Sequence, residues 1–138
     1  MPIVNVSSEF EAKVRDALHM AQQHQDEAYR FMAVEVPVYA QMMPDQQQAV
    51  AGGCPSCTYL GLWADRWRGF PDQPHGTIWL FEDGIRKQGG HLGEKVYATL
   101  LHEFEHALGR DHVLDAIKAN KALGIRPYAV RGRCCGGR

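Results

Sequence analysis

The chain has 138 residues, 45% hydrophobic and 22% charged, with a formal net charge of -1. That length suits one core, and the mixture excludes a disordered, collagen-like or coiled-coil chain. The near-neutral balance argues against nucleic acid and anionic membranes as partners. No apolar run approaches the ~20 residues that span a bilayer, and Met1 to Ser8 lacks the marks of a secretory leader; the expected compartment is the cytoplasm.

In chain order, a first helix is expected from Ser8, because Ser8 and Glu11 have capping-box spacing. Phe10, Val14, Leu18 and Ala21 give it one apolar stripe. His19 and His24 read as solvated surface residues. Phe31 to Val38 is β-prone and reads as a strand, which Pro37 ends or places at an edge. Met42 to Cys57 is a loop. Tyr59 to Trp63 and Thr77 to Phe81 read as further strands, joined by a Gly/Pro-rich connection. Gly84 to Gly93 reads as a loop; its glycines lack the Gly-Lys-Ser/Thr ending of a phosphate-binding loop. A second helix is expected from about Glu94 to Leu108, with Tyr97, Leu101, Phe104 and Leu108 as its stripe and Gly109 as terminator. A third is expected over Val113 to Leu123. Trp63, Trp67 and Trp79 read as core. The expected organisation is one domain over 1–125 and a basic, Cys/Gly-rich tail over 126–138.

The second helix carries His102-Glu103-Phe104-Glu105-His106-Ala107-Leu108-Gly109-Arg110-Asp111-His112. The pattern is HExxHxxGxxH. Residues four apart share a helical face, so His102 and His106 can aim at one ion. Glu103 stands beside that face, within reach of a water on the metal but outside its ligand set. Gly109 permits a turn that brings His112 back as a third ligand. Three protein ligands leave a fourth position open, as catalytic zinc requires. At this chain's own residue frequencies the five-position pattern arises by chance in on the order of 10^-4 of such chains. Asp111 or Asp115 can accept a hydrogen bond from a ligand imidazole. Glu105 reads as surface or as a support to the ligands, and Tyr128 and His91 as weak candidates for stabilising an oxyanion.

Cys54-Pro55-Ser56-Cys57 and Cys134-Cys135 allow a second, structural zinc site pinning the tail to the loop. A redox pair, a disulfide or four separate thiols are the competing readings. The arginines of the tail read as solvated.

Val96 to His112 resembles the zincin metallopeptidases. Metzincins share the whole string, but no methionine follows His112 to make their Met-turn. The chain is more similar to a family of small bacterial zincin-like metallopeptidases. The likeness rests on Phe10 to Ala21, Ala33-Val34-Glu35-Val36, Leu60-Gly61-Leu62-Trp63, Thr77-Ile78-Trp79-Leu80-Phe81 and Leu100 to His106. That family often has an acidic residue where His112 stands. The resemblance implies an α+β, zincin-like fold: a short mixed β-sheet packed against an N-terminal helix and an active-site helix. It implies a zinc peptidase that acts on a peptide or protein through a metal-bound water activated by Glu103, with substrate extended along a sheet edge. Bacterial rRNA-maturation endoribonucleases offer an alternative: Gly109-Arg110-Asp111-His112 matches their ending, but they carry glycine at the place of Glu103. A non-catalytic metal-binding interaction module is the third reading.

Overall fold

The computed structural model describes residues 3–4, 6–45, 60–64 and 72–108. Among them are four strands, β1 (Ile3–Val4), β2 (Val38–Gln41), β3 (Gly61–Ala64) and β4 (Thr77–Phe81). The four helices are α1 (Ser8–Gln22), α2 (Glu27–Glu35), α3 (Glu82–Lys87) and α4 (Leu92–Leu108). The chain is an α+β protein with a small mixed sheet.

Ser7, one residue earlier than expected, caps α1: its side chain accepts from Phe10 N–H at 3.1 Å. The reciprocal carboxylate is not Glu11, which pairs with Arg15 along the exposed side of α1. It is Glu82, 75 residues away, whose oxygens accept from Ser7 N–H at 2.8 Å and Ser7 Oγ at 2.6 Å. Arg86 donates to Glu82 at 2.6 Å and to Glu9 at 2.9 Å. A cap normally made within one turn is here a tertiary joint between α1 and α3. Phe10, Val14, Ala17 and Ala21 form the buried stripe, with Leu18 half-buried beside it.

The segment expected as a strand over Phe31 to Val38 is mostly helix. Asp26 caps α2 by accepting from Ala28 N–H at 2.9 Å. Tyr29, Met32, Ala33 and Val36 are buried at positions i, i+3, i+4 and i+7, whereas Phe31 and Val34 are 46% and 70% exposed. That is helical periodicity; β-branched composition gave way to it. Pro37 separates the helix from β2, which begins at Val38. His24 is also not at the surface. It is buried at the α1–α2 junction, its Nδ1 accepting from Asp26 N–H at 2.8 Å and its ring edge-on to Tyr29 at 4.7 Å.

The sheet order is β1-β2-β4-β3, with β1–β2 and β2–β4 parallel and β3–β4 antiparallel. Thr77 to Phe81 forms β4 with the expected bounds. Gly61↔Leu80 and Trp63↔Ile78 pairing sets those side chains on one face with Val38 and Ala40. Val38, Ala40, Ile78 and Leu80 join Phe10, Val14, Tyr29, Val96, Leu100, Leu101 and Phe104 in one core. Gly84 to Gly93 is not all loop: Glu82–Lys87 is helical, and only 88–91 remain between α3 and α4. Gly89 and Gly90 have φ of 72° and 78° there, the left-handed turn that separates the two helices.

α4 packs most extensively on α1, lies against β3 and β4, and also touches α2 and α3. It is therefore the central helix. Residues 109–138, with the expected third helix and tail, lie outside the described residues, as does Trp67. Trp63 and Trp79 are half-buried rather than fully enclosed. Among the described residues no helix is long and apolar enough to cross a membrane.

Candidate active site

Ten consecutive residues of α4, Val96 to Glu105, are buried. A helix buried on every side carries no solvated face for its polar residues. Thr99, His102, Glu103 and Glu105 are thus enclosed polar groups on an otherwise apolar rod, and each must be held by specific contacts.

His102 and His106 lie one turn apart, 40° apart around the axis at 100° per residue. Their ring centroids are 5.3 Å apart and the planes are inclined at 62°. His102 is buried and His106 half-buried. Two imidazoles that close on one helical face suit one metal ion, and their chemistry fits zinc.

Glu103 is 0% exposed. It faces β3, where Gly61 makes a close approach possible. A Cβ on Gly61 would stand 3.2 Å from Glu103 Cγ, 3.1 Å from Thr99 Cγ2 and 3.1 Å from the Trp79 carbonyl oxygen. Thr99 and Glu103 are one turn apart, so both abut the same point of β3. Thr99 turns its hydroxyl to the Lys95 carbonyl at 2.7 Å, leaving its methyl toward the strand. Among the described strands, β1 and β3 end the sheet. Of these two, β3 is the one that packs on α4, beside Glu103.

Glu105 is not at the surface. It is fully buried and accepts a hydrogen bond from the Tyr29 hydroxyl of α2. Tyr29 also packs on Phe104, with centroids 6.1 Å apart. These contacts hold α4 against α2 on either side of Phe104–Glu105, next to His106. Sequence reasoning missed Tyr29 because its segment was not recognised as helix. Gly61 had a visible signal, a lone glycine among large apolar strand residues.

His91 lies before α4, roughly 16 Å along the axis from His102 at 1.5 Å per residue, too far to stabilise an oxyanion there. His112, Asp111, Asp115 and Tyr128 lie outside the described residues, as do Cys54, Cys57, Cys134 and Cys135. Among the described residues no group of three or more metal-ligating side chains is assembled. His102 and His106 are brought together, with Glu103 beside them. No family model, curated protein or solved structure matches this chain.

Proposed function

We propose that this protein is a zinc-dependent peptidase of zincin-like architecture. The observation that carries the reading is the pairing of His102 and His106 with an enclosed Glu103 beside the terminal strand β3. His102 and His106 would hold the metal, with His112 as third ligand. Bound zinc supplies a Lewis acid that polarises the scissile carbonyl and makes water more acidic.

The chain's own residues supply the rest. Glu103 takes a proton from the attacking water and passes it to the leaving amine. Its enclosure between α4 and β3 keeps bulk water from competing for that proton. An extended peptide would add as a strand beside β3, which is terminal among the described strands. Tyr29–Glu105 and the β3 contact hold α4 from two sides, so the two imidazoles keep their directions. Glu103 also favours this reading over the endoribonuclease one, which has no use for a carboxylate there.

The test is Glu103→Gln, which keeps size and polarity but accepts no proton. Zinc content and fold should survive, while cleavage of a responsive peptide falls by a factor on the order of 10^2 to 10^4. Unchanged cleavage would overturn the proposal. So would zinc-loaded wild type that cuts RNA but no peptide or protein across a broad panel.

A further inference from the structure

We propose that the junction of α1 and α2 is a proton-operated joint, in which protonation of His24 frees the start of α2 from α4. The inference does not rest on the peptidase reading. Residues 23–26 join the two helices, and His24 among them is 5% exposed. Its ring Nδ1 accepts from Asp26 N–H at 2.8 Å, and its carbonyl oxygen accepts from the Arg30 guanidinium at 2.7 Å. Asp26 is the N-cap of α2 and Arg30 lies one turn further on. Two bonds that fix the first turn of α2 thus end on one residue. A helix of nine residues is too short to be stable alone, so α2 depends on this junction and on its buried face.

The ring is committed to one tautomer. Nδ1 accepts, so a neutral imidazole carries its proton on Nε2. That Nε2 is buried and has no hydrogen-bond partner among the described residues. A second proton at Nδ1 would set a donor against the Asp26 N–H donor and leave a charge in an enclosed site. Burial opposes that charge most, Asp26 favours it and Arg30 opposes it, so the pKa lies below 6.5. Asp26 is also engaged elsewhere, its carboxylate accepting from Ala28 N–H at 2.9 Å. Toward α1, His24 meets backbone, its N–H bonding to the Ala21 carbonyl at 3.2 Å.

Toward α4 it meets Tyr29. The two rings are 4.7 Å apart, and Tyr29 in turn bonds Glu105 and packs on Phe104. A charged His24 ring is relieved by turning out to water. That breaks the Asp26 bond and removes the ring that backs Tyr29, so α2 loosens at the end that touches α4. The opening stays local, because α1 is fixed at its far end by the Ser7–Glu82 bonds and along its length by Phe10, Val14 and Ala17.

The experiment is amide hydrogen exchange and histidine NMR on the full, metal-free chain across pH. The His24 ring resonances give the pH at which it takes its second proton. Through that midpoint, protection of the amides from Arg30 to Glu35 should fall by at least about tenfold, while Val14 to Leu18 keep theirs. His24→Asn retains an acceptor for Asp26 N–H but takes no proton, and α2 should stay protected. Asp26→Asn retains a cap and removes the attracting charge, and it should move both midpoints to lower pH together. Four results would overturn the proposal: α2 protection that is level through the His24 midpoint, α1 and α2 losing protection together, the same loss in His24→Asn, or one midpoint moving without the other in Asp26→Asn. A His24 that takes no second proton until the whole chain unfolds would overturn it as well.

Discussion

Two buried ionisable residues, Glu82 and His24, make stability depend on pH in different ranges. Burial by itself would raise the Glu82 pKa, but the two Ser7 hydrogen bonds, then Arg86, outweigh it and hold the carboxyl below its usual 4.5. Its contribution is therefore complete above about pH 4.5 and is lost as pH falls through the lower folded value. Glu82→Ala should cost about 2 to 3 kcal/mol at pH 7, and the gap from wild type should narrow below pH 4.5; urea unfolding at both pH values measures it. His24 behaves differently. Burial lowers its pKa from 6.5, with Asp26 opposing and Arg30 adding to the shift. Stability is full above 6.5 and declines as pH falls from there toward the folded value, because Nδ1 must stop accepting from Asp26 N–H to take a proton. His24→Leu should remove that slope in denaturation below about pH 6.5. Neither residue's role was legible in the chain. Glu82 and Ser7 are far apart in sequence, and nothing local to His24 signals burial.

At the scale of elements, the joints around α4 are open to test. Gly61→Ala places a methyl 3.1 to 3.2 Å from the Trp79 carbonyl oxygen, Thr99 and Glu103. The flexible Glu103 side chain can yield; the strand carbonyl yields less. Stability should fall by about 1 to 2 kcal/mol; under the proposed peptidase function, cleavage should fall more steeply than stability implies, since Glu103 is displaced. Parallel thermal melts and activity assays separate the two effects. Tyr29→Phe removes the donor to a buried carboxylate and should cost about 1.5 to 3 kcal/mol in chemical denaturation. The elements themselves were unevenly legible. β4 was plain from five β-prone residues between turn signals. α2 was misread because its β-branched and aromatic residues suggested a strand, although the burial spacing from Tyr29 to Val36 is helical. α3 was hidden by Gly84, which suggested a loop.

For the whole molecule, a metal bound by the folded chain alone would stabilise it by mass action. Zinc at about 1,000 times its Kd should add roughly 4 kcal/mol and raise the melting temperature, and a chelator should reverse the change. His102→Ala should abolish the response; a full response in that variant would contradict the assignment. The sequence by itself determined the spacing of His102 and His106, the place of Glu103 beside them, and the α1 and β4 segments. These follow from the fixed angle per residue within one helix or strand, which needs no neighbour. Only the tertiary structure decided that β3 lies beside Glu103, that Glu82 completes the cap of α1, and that Glu105 is bonded by Tyr29. Those facts depend on which distant segments pack together. A periodicity states which side chains share a face, but burial and partnership belong to the surfaces that meet it.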